Sequence, residues 1–230
     1  MSEVWDEDDW KLTPEEQRIV SKLNIDYTMI FPNLDRRNRY QVHSPNHFRF
    51  PGDSRIKLNF DGASKGNPGR AGWGGIFRDN TGSTRWVYAE WGGDMTNNEA
   101  ELWGLYNGLR IAVRNGYWNL EVEGDSKITI DMLRKLRNGK RWDHVVTSWR
   151  TTAIIQDIEG LLSRIEYAMI NHVLRNGNQA ADLLANWGSA ASNRVIDGSW
   201  VSYQDDPRWN ALQTILRQDY DEAMVSHGND

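Results

Sequence analysis

The sequence predicts an α/β fold in which a mixed five-stranded sheet carries helices on its faces. Strand-like alternation broken by glycine turns fills residues 55–91, which predicts three antiparallel strands in succession. Helical and strand-like periodicity then alternate up to residue 189, which adds two parallel strands and gives the order βββαβααβα. Hydrophobic residues make up 39% of the 230, enough for a sizeable core, and the absence of cysteine excludes disulfides and thiolate metal sites.

The three antiparallel strands come first. Residues 56–61 alternate strictly between apolar and polar side chains, and Gly66-Asn67-Pro68-Gly69 forms a tight turn behind them. Residues 73–78 and 85–91 are the next two strands, because a hairpin turn at 79–82 separates two further apolar runs.

Capping signals and periodicity place the remaining elements. Thr96 as N-cap and Glu99 as its capping-box partner predict a helix over 97–114, which ends before Asn115-Gly116. Beyond it we expect a strand over 118–124, helices over 126–137 and 142–162, a strand over 165–173 and a helix over 178–189.

Charge divides the chain into three segments. The formal charge of −5 is distributed as −3, +2 and −4 over residues 1–54, 55–188 and 189–230. We therefore predict an N-terminal flank (1–54) with one short helix at 13–23, a central domain (55–190) and an acidic C-terminal flank (191–230) with one helix that opens at Asp206-Pro207. With no long apolar run and no basic leader, we expect a soluble intracellular protein without a membrane partner, in the cytoplasm or the nucleus.

Four acidic residues stand at the ends of predicted elements. Asp61 and Asp125 end strands, whereas Glu101 and Asp182 lie in the first turns of helices. Each has a plain alternative as a turn former, an N-cap or a partner of a helix dipole. Their convergence instead favours a divalent cation, because Mg²⁺ takes carboxylates together with water and phosphate oxygens. Two such ions about 3.5–4 Å apart form the arrangement that hydrolyses phosphodiesters.

Four linked motifs carry a resemblance to a known family. They span residues 59–69, 96–102, 123–126 and 172–182, and they closely resemble type 1 ribonuclease H. The residues of these motifs are most similar to those of the ribonuclease H-like domain of plant reverse-transcriptase-related proteins, and the resemblance covers roughly residues 55–190. It implies a ribonuclease H-like fold and an endonuclease that cuts the RNA strand of RNA/DNA hybrids, leaving 3′-hydroxyl and 5′-phosphate ends.

The resemblance also implies roles for individual residues. Asp61, Glu101, Asp125 and Asp182 would hold two Mg²⁺ ions, which Mn²⁺ can replace, and His172 would assist water attack or product release. The implied substrate contacts are Gly62, Asn67, Thr96, Asn97, Asn98, Ser126 and Lys127. The plain alternatives are a hydrogen-bonded surface histidine and ordinary turn or cap chemistry for the short polar residues.

The chain departs from the family in one segment. The stretch from Asp125 to His172 is shorter than in members with a basic handle helix, Trp142 is the nearest candidate for a handle tryptophan, and residues 134–141 replace the handle only in part. Two rival interpretations stay open: a non-catalytic hybrid- or RNA-binding module derived from a retroelement, and a different nuclease chemistry on the same fold. The expected partner is an RNA/DNA hybrid, and the expected state is a monomer.

Overall fold

The structure is a computed structural model, and the residues it describes are 47–140, 149–191, 196–199 and 209–227. Within these residues six strands form one mixed sheet in the order β5-β4-β1-β2-β3-β6. Strands β1, β2, β3 and β6 pair antiparallel in succession, whereas β4 is parallel to β1 and β5 is parallel to β4. The strands are β1 (Ile56–Gly66), β2 (Gly69–Arg78), β3 (Thr84–Met95), β4 (Asn119–Gly124), β5 (Tyr167–His172) and β6 (Ile196–Ser199).

Five α-helices lie within the described residues. Helix α1 begins with the capping box that the sequence predicts, between Thr96 and Glu99, and ends at Gly116 with a left-handed φ of 71°. The helices are α1 (Asn97–Asn115), α2 (Lys127–Arg137), α3 (Trp149–Leu162), α4 (Gln179–Ala190) and α5 (Trp209–His227). A short 3₁₀ turn, Arg175–Asn178, leads from β5 into α4.

The two faces of the sheet bury different sets of side chains. On one face Leu58 and Phe60 of β1 pack with helices α1, α2 and α3 in the larger apolar core. On the other face Ile76 and Val87 pack with α4 and with Trp209 of α5. Strand alternation explains the division, because successive residues of a strand point to opposite faces.

Charged side chains are buried on the second face as well. The Arg78 guanidinium donates to Asp219 Oδ2 at 2.6 Å and to Asn59 Oδ1 at 2.9 Å, and it lies 3.5 Å from the Phe48 ring centroid. The Lys57 ammonium pairs with Glu123 and, at 3.6 Å, with Glu121. We call this set the paired charge network; it consists of Arg55, Lys57, Arg78, Glu121, Glu123 and Asp219, three cations and three acids.

The predicted fold class is confirmed, with differences at several edges. A sixth strand, β6, extends the sheet inside the predicted C-terminal flank, and the sequence Ile196-Asp197-Gly198-Ser199 is too short and too polar to predict a strand. Strand β1 runs to Gly66 and β3 to Met95 because their pairing with β2 continues into the glycine-rich ends.

Other predictions have different outcomes. The helix predicted at 13–23 and the start of the helix predicted at 142 lie outside the described residues. By their contacts residues 44–230 form one compact unit, and the domain bounds at 54 and 190 stay predictions. No described helix is both long and apolar enough to cross a bilayer.

Candidate functional site

Two neighbouring parallel strands bring the first pair of acids together. Asn59 of β1 pairs with Glu123 of β4. Asp61 follows Asn59 by two residues, and Asp125 follows Glu123 by two residues. Because the strands are parallel, both aspartates come to the same end of the sheet and to the same side of it. Asp61 is buried within β1, whereas Asp125 follows β4 directly and is partly exposed.

Two glycines allow helix α1 to lie directly against β1. A Cβ added to Gly62 would stand 2.1 Å from the Glu101 backbone nitrogen, and one added to Gly104 would stand 2.6 Å from the Asp61 carbonyl oxygen. No side chain fits at either contact, so the first turns of α1 reach the strand and deliver Glu101 to Asp61. The structure gives Gly62 a packing role; its predicted contact with substrate stays a prediction.

Three carboxylates form the centre of the site. One oxygen each of Asp61, Glu101 and Asp125 lies within 4.8 Å of the others, and we call these three residues the carboxylate cluster. Asp61 and Glu101 are only 5% and 7% exposed. The Glu101 Oε2 atom is buried and has no hydrogen-bond partner among the described residues. An acceptor in that position is costly unless a cation or a donor approaches it.

Burial and mutual repulsion change the acidity of the cluster. Burial raises the pKa of Asp61 well above its usual range, and the negative charges of Asp125 and Asp182 raise it further. The pKa of Glu101 is raised well above its usual range by burial first and by the charge of Asp61 next. Both shifts favour the protonated form of these carboxyl groups, and a bound cation would act in the opposite direction.

The donor set fits a hard divalent cation. It offers only carboxylate oxygens, at least one of them without a partner, and these are the ligands that Mg²⁺ and Mn²⁺ take. No ion pair joins Asp61, Glu101 or Asp125 to a basic side chain in the described part of the chain. The positive charge that this cluster lacks is therefore left for an ion to supply.

Asp182 lies beside the cluster and has partners of its own. It is in the first turn of α4, where its Oδ1 accepts from Arg175 Nη2 at 2.7 Å and its Oδ2 accepts from Asn186 Nδ2 at 3.1 Å. Its charge raises the pKa of Asp61 and of Glu101, so it is close enough to act on them. The structure thus brings three of the four predicted acids together and places the fourth next to them, paired with Arg175.

His172 ends strand β5 at the same edge of the sheet. Its Nε2 is 3.0 Å from the backbone oxygen of Asp125. A carbonyl oxygen only accepts hydrogen bonds, so Nε2 carries the hydrogen and the ring is held in one tautomer. His172 is accordingly oriented by the backbone of a cluster residue.

The predicted asparagine contacts lie together at the start of α1. The Asn97 side-chain oxygen accepts from the backbone N–H of Ser64 at 2.9 Å, and the Asn67 side-chain oxygen accepts from the backbone N–H of Asn97 at 3.0 Å. These bonds tie the turn after β1 to the helix. Both side chains are exposed, as is Asn98, and Thr96 is used as the N-cap.

Two arginines of the basic stretch hold backbone carbonyl oxygens. Arg134 donates to the Ile170 carbonyl oxygen at 3.0 Å, and Arg137 donates to three carbonyl oxygens between α3 and β5. These bonds anchor α2, and the partial replacement of a handle by residues 134–141 stays a prediction. Lys127 is exposed but pairs with Asp131 at 2.7 Å, and Ser126 is the N-cap of α2. Trp142 lies outside the described residues.

Sequence reasoning missed two residues that position the site. Asn178 is buried and donates from Nδ2 to the Phe60 carbonyl oxygen at 2.9 Å, which fixes α4 to β1 one residue before Asp61. Arg175 is the partner of Asp182. Both lie inside the motif 172–182, but only the fold shows what they contact.

The comparisons with known proteins concern this part of the chain. The sequence profile of the reverse transcriptase-like family matches residues 59–188, more than half of the chain. A protein of Arabidopsis thaliana provisionally named as a ribonuclease H protein is 34% identical over 164 residues, which is 71% of this chain and 24% of that protein. Ribonuclease HI of Halobacterium salinarum is 35% identical over 135 residues, or 57% of this chain and 63% of that enzyme. The chain thus spans less than two thirds of either relative.

A solved structure shares the fold. LC11-RNase H1, crystallised in complex with an RNA/DNA hybrid, is 26% identical and aligns with a TM-score of 0.51 over 59% of this chain and 97% of that one. The family match ends at residue 188, so β6 and α5 lie beyond it.

Proposed function

The chain belongs to the reverse transcriptase-like family, and on that premise we propose that it is a ribonuclease H that hydrolyses the RNA strand of RNA/DNA hybrids. The observation that carries the proposal is the carboxylate cluster, in which three acids meet without a balancing basic side chain in the described residues. The named activity of the archaeal relative and the bound hybrid of LC11-RNase H1 support the substrate class.

The residues that would hold two divalent ions are Asp61, Glu101 and Asp125, with Asp182 beside them. When bound, such ions lower the pKa of a coordinated water and stabilise negative charge on the leaving oxygen. Because the pKa values of Asp61 and Glu101 are raised, protons compete with a cation for these oxygens, and we expect metal binding to weaken as the pH falls.

Hydrolysis joins a water oxygen to the phosphorus and breaks the bond from phosphorus to O3′. The products are therefore a 5′-phosphate and a 3′-hydroxyl, and the 3′ oxygen needs a proton. By the family resemblance His172 would assist this step, and its Nε2 lies 3.0 Å from the backbone oxygen of Asp125.

Recognition of RNA would come from the asparagines at the start of α1. The side-chain oxygens of Asn67 and Asn97 accept hydrogen bonds within the protein, which leaves the amide NH₂ groups of these exposed side chains as the donors for a substrate. A ribose 2′-hydroxyl accepts from such donors and a DNA sugar lacks it, which favours the RNA strand. Asn98, which is exposed beside them, extends this donor surface.

Cleavage of an end-labelled RNA/DNA hybrid in Mg²⁺ tests the proposal. We expect the full chain to cut the RNA strand, and Asp61→Asn and Asp125→Asn each to lower the rate on the order of 10³-fold. Asp131→Asn is the matched control, because Asp131 is an acid on α2 outside the cluster. No cutting by the wild type, or undiminished cutting by both variants, would overturn the proposal.

Two outcomes would favour the rival interpretations. Hybrid binding in EDTA without cleavage in Mg²⁺ would indicate a non-catalytic binding module, and equal cutting of duplex DNA would indicate another nuclease chemistry.

A further inference from the structure

Arg175 is the basic side chain that the fold places at the mouth of the acidic site. It begins the 3₁₀ turn between β5, which carries His172, and α4, which carries Asp182. Its Nη2 donates to Asp182 Oδ1 at 2.7 Å. The Arg175 side chain is 76% exposed and that of Asp182 is 28% exposed, so the guanidinium can leave without disturbing the core.

Within the described residues this is the one ion pair made by any of the four acids. The interaction extends beyond Asp182, because the pKa of Arg175 is raised first by the hydrogen bond to Asp182 and then by nearby negative charge that includes Asp125 and Asp61. The guanidinium is thus a partial counter-charge for the whole group of acids.

Both oxygens of Asp182 are engaged in this arrangement. One accepts from Arg175, and the other accepts from Asn186, which lies one turn further along the same helix. The bond within the helix holds the carboxylate in place, whereas the bond to the exposed arginine is the easier of the two to exchange. A divalent ion that approaches Asp182 meets a positive charge already there.

We propose that Arg175 is a positioning residue that occupies Asp182 until a divalent ion replaces it, and that it thereby sets how tightly the site binds metal. The inference rests on the proposed function, since it treats the four acids as metal ligands. It adds that this chain carries its own competitor for the ion at Asp182. Removal of the guanidinium should tighten metal binding, whereas a purely structural arginine would leave binding unchanged or weaken it.

Titration of the full chain with Mn²⁺, followed by the loss of the free-ion electron paramagnetic resonance signal, measures this without nucleic acid. We expect Arg175→Gln to lower the Kd for Mn²⁺ about fivefold, which corresponds to about 1 kcal/mol. Arg175→Lys keeps the charge and should stay within about twofold of the wild type. The gain should vanish when Arg175→Gln is combined with Asp182→Asn, because the partner of the arginine is then no longer an anion.

The matched control is Arg114→Gln. Arg114 pairs with Asp197 at the same 2.7 Å, and Asp197 is 26% exposed, but this pair joins α1 to β6 away from the cluster. Its removal should leave Mn²⁺ binding unchanged. Equal or weaker binding by Arg175→Gln, in a folded protein, would overturn the proposal.

The same titration separates this proposal from the proposed function. Mn²⁺ binding that Arg175→Gln tightens, in a protein that cuts no hybrid, would refute the ribonuclease activity alone. Cleavage with unchanged Mn²⁺ affinity in Arg175→Gln would refute the role of Arg175 alone. A wild type that binds no Mn²⁺ would refute both.

Discussion

Strand β1 contributes to two groups of buried ionisable side chains that differ in charge balance. Lys57 belongs to the paired charge network, in which three cations meet three acids. Asp61, four residues later on the same strand, belongs to the carboxylate cluster, which has no basic partner in the described residues. Strand β4 shows the same change: Glu123 is paired with Lys57, whereas Asp125, which follows the strand, has no ion pair in the part of the chain that the structure describes.

The difference separates a structural arrangement from a reactive one. A buried charge costs several kcal/mol unless it is paired, so the balanced network keeps its charges inside the fold. The acids of the carboxylate cluster resemble the acids of the network in type and in burial, but no basic side chain in the described residues balances their charge. The cluster therefore favours the binding of protons or of added cations. Asn59 lies at the boundary between the two, where it donates to Glu123 and accepts from Arg78.

The largest effect should follow from breaking the cluster. Asp61→Asn removes one of three converging acids, so we expect hybrid cleavage to fall on the order of 10³-fold. Because the substitution also relieves repulsion between buried acids, the metal-free protein should gain unfolding free energy on the order of 1 kcal/mol. Cleavage assays and urea denaturation in EDTA measure the two changes. A variant that loses both activity and stability would show that Asp61 is structural.

Breaking the paired charge network should lower the stability of the fold and leave hybrid cleavage almost unchanged. Arg78→Ala leaves Asp219 and Asn59 without their buried donor, and we expect a loss of about 3–5 kcal/mol of unfolding free energy. Cleavage per folded molecule should change little, because Arg78 does not contact the cluster. Urea denaturation of Arg78→Ala beside Arg78→Met/Asp219→Leu tests the cause, since the double variant removes both charges and should recover most of the loss. No recovery would contradict the charge-balance explanation.

The pH dependence of stability should sharpen the comparison. The pKa values of Asp61 and Glu101 are raised in the folded state, so folding binds protons there and metal-free stability should fall as the pH rises above about 4 through those raised values. Saturating Mg²⁺ should reduce this pH dependence of stability, because the bound ion replaces the protons. Thermal unfolding in EDTA and in Mg²⁺ across the pH range measures it, and Asp61→Asn should show the smaller slope even in EDTA. Identical slopes in all samples would count against the cluster as the source.

The smallest effect should come from an exposed pair. Lys127 and Asp131 are 2.7 Å apart but mostly exposed, so Lys127→Ala should change the unfolding free energy by less than about 0.5 kcal/mol. If Lys127 contacts a phosphate, its removal should weaken hybrid binding. It should also lower, by about 1, the magnitude of the slope of the logarithm of the binding constant against the logarithm of the salt concentration. Binding titrations at several salt concentrations measure this, and an unchanged slope would remove Lys127 from the substrate surface.

Much of this arrangement follows from local sequence. Alternation and capping predict most of the sheet, and Thr96 with Glu99 predicts the start of α1 correctly. The convergence of Asp61, Glu101 and Asp125 follows from strand ends and a helix start at one edge. Their roles, and that of His172, stay predictions.

What the sequence does not predict depends on contacts between distant residues. The pairing of β6 with β3 cannot be predicted locally, because residues 196–199 are few and polar. The burial of Arg78 against Asp219 cannot be predicted either, because each of the two is an ordinary charged residue in its own segment. The contacts of the basic run 134–137 are hidden from the sequence for the same reason. Its arginines bind carbonyl oxygens that only the folded chain brings near.

The link between Arg78 and Asp219 has a consequence for synthesis on the ribosome. The two residues are 141 positions apart, and about 140 residues take roughly 7–30 seconds to translate. During that interval β2 exists without the acid that compensates its buried arginine. The second face of the sheet is therefore complete only after α5 has been synthesised, so this helix is part of the core of the fold rather than an appendix to it.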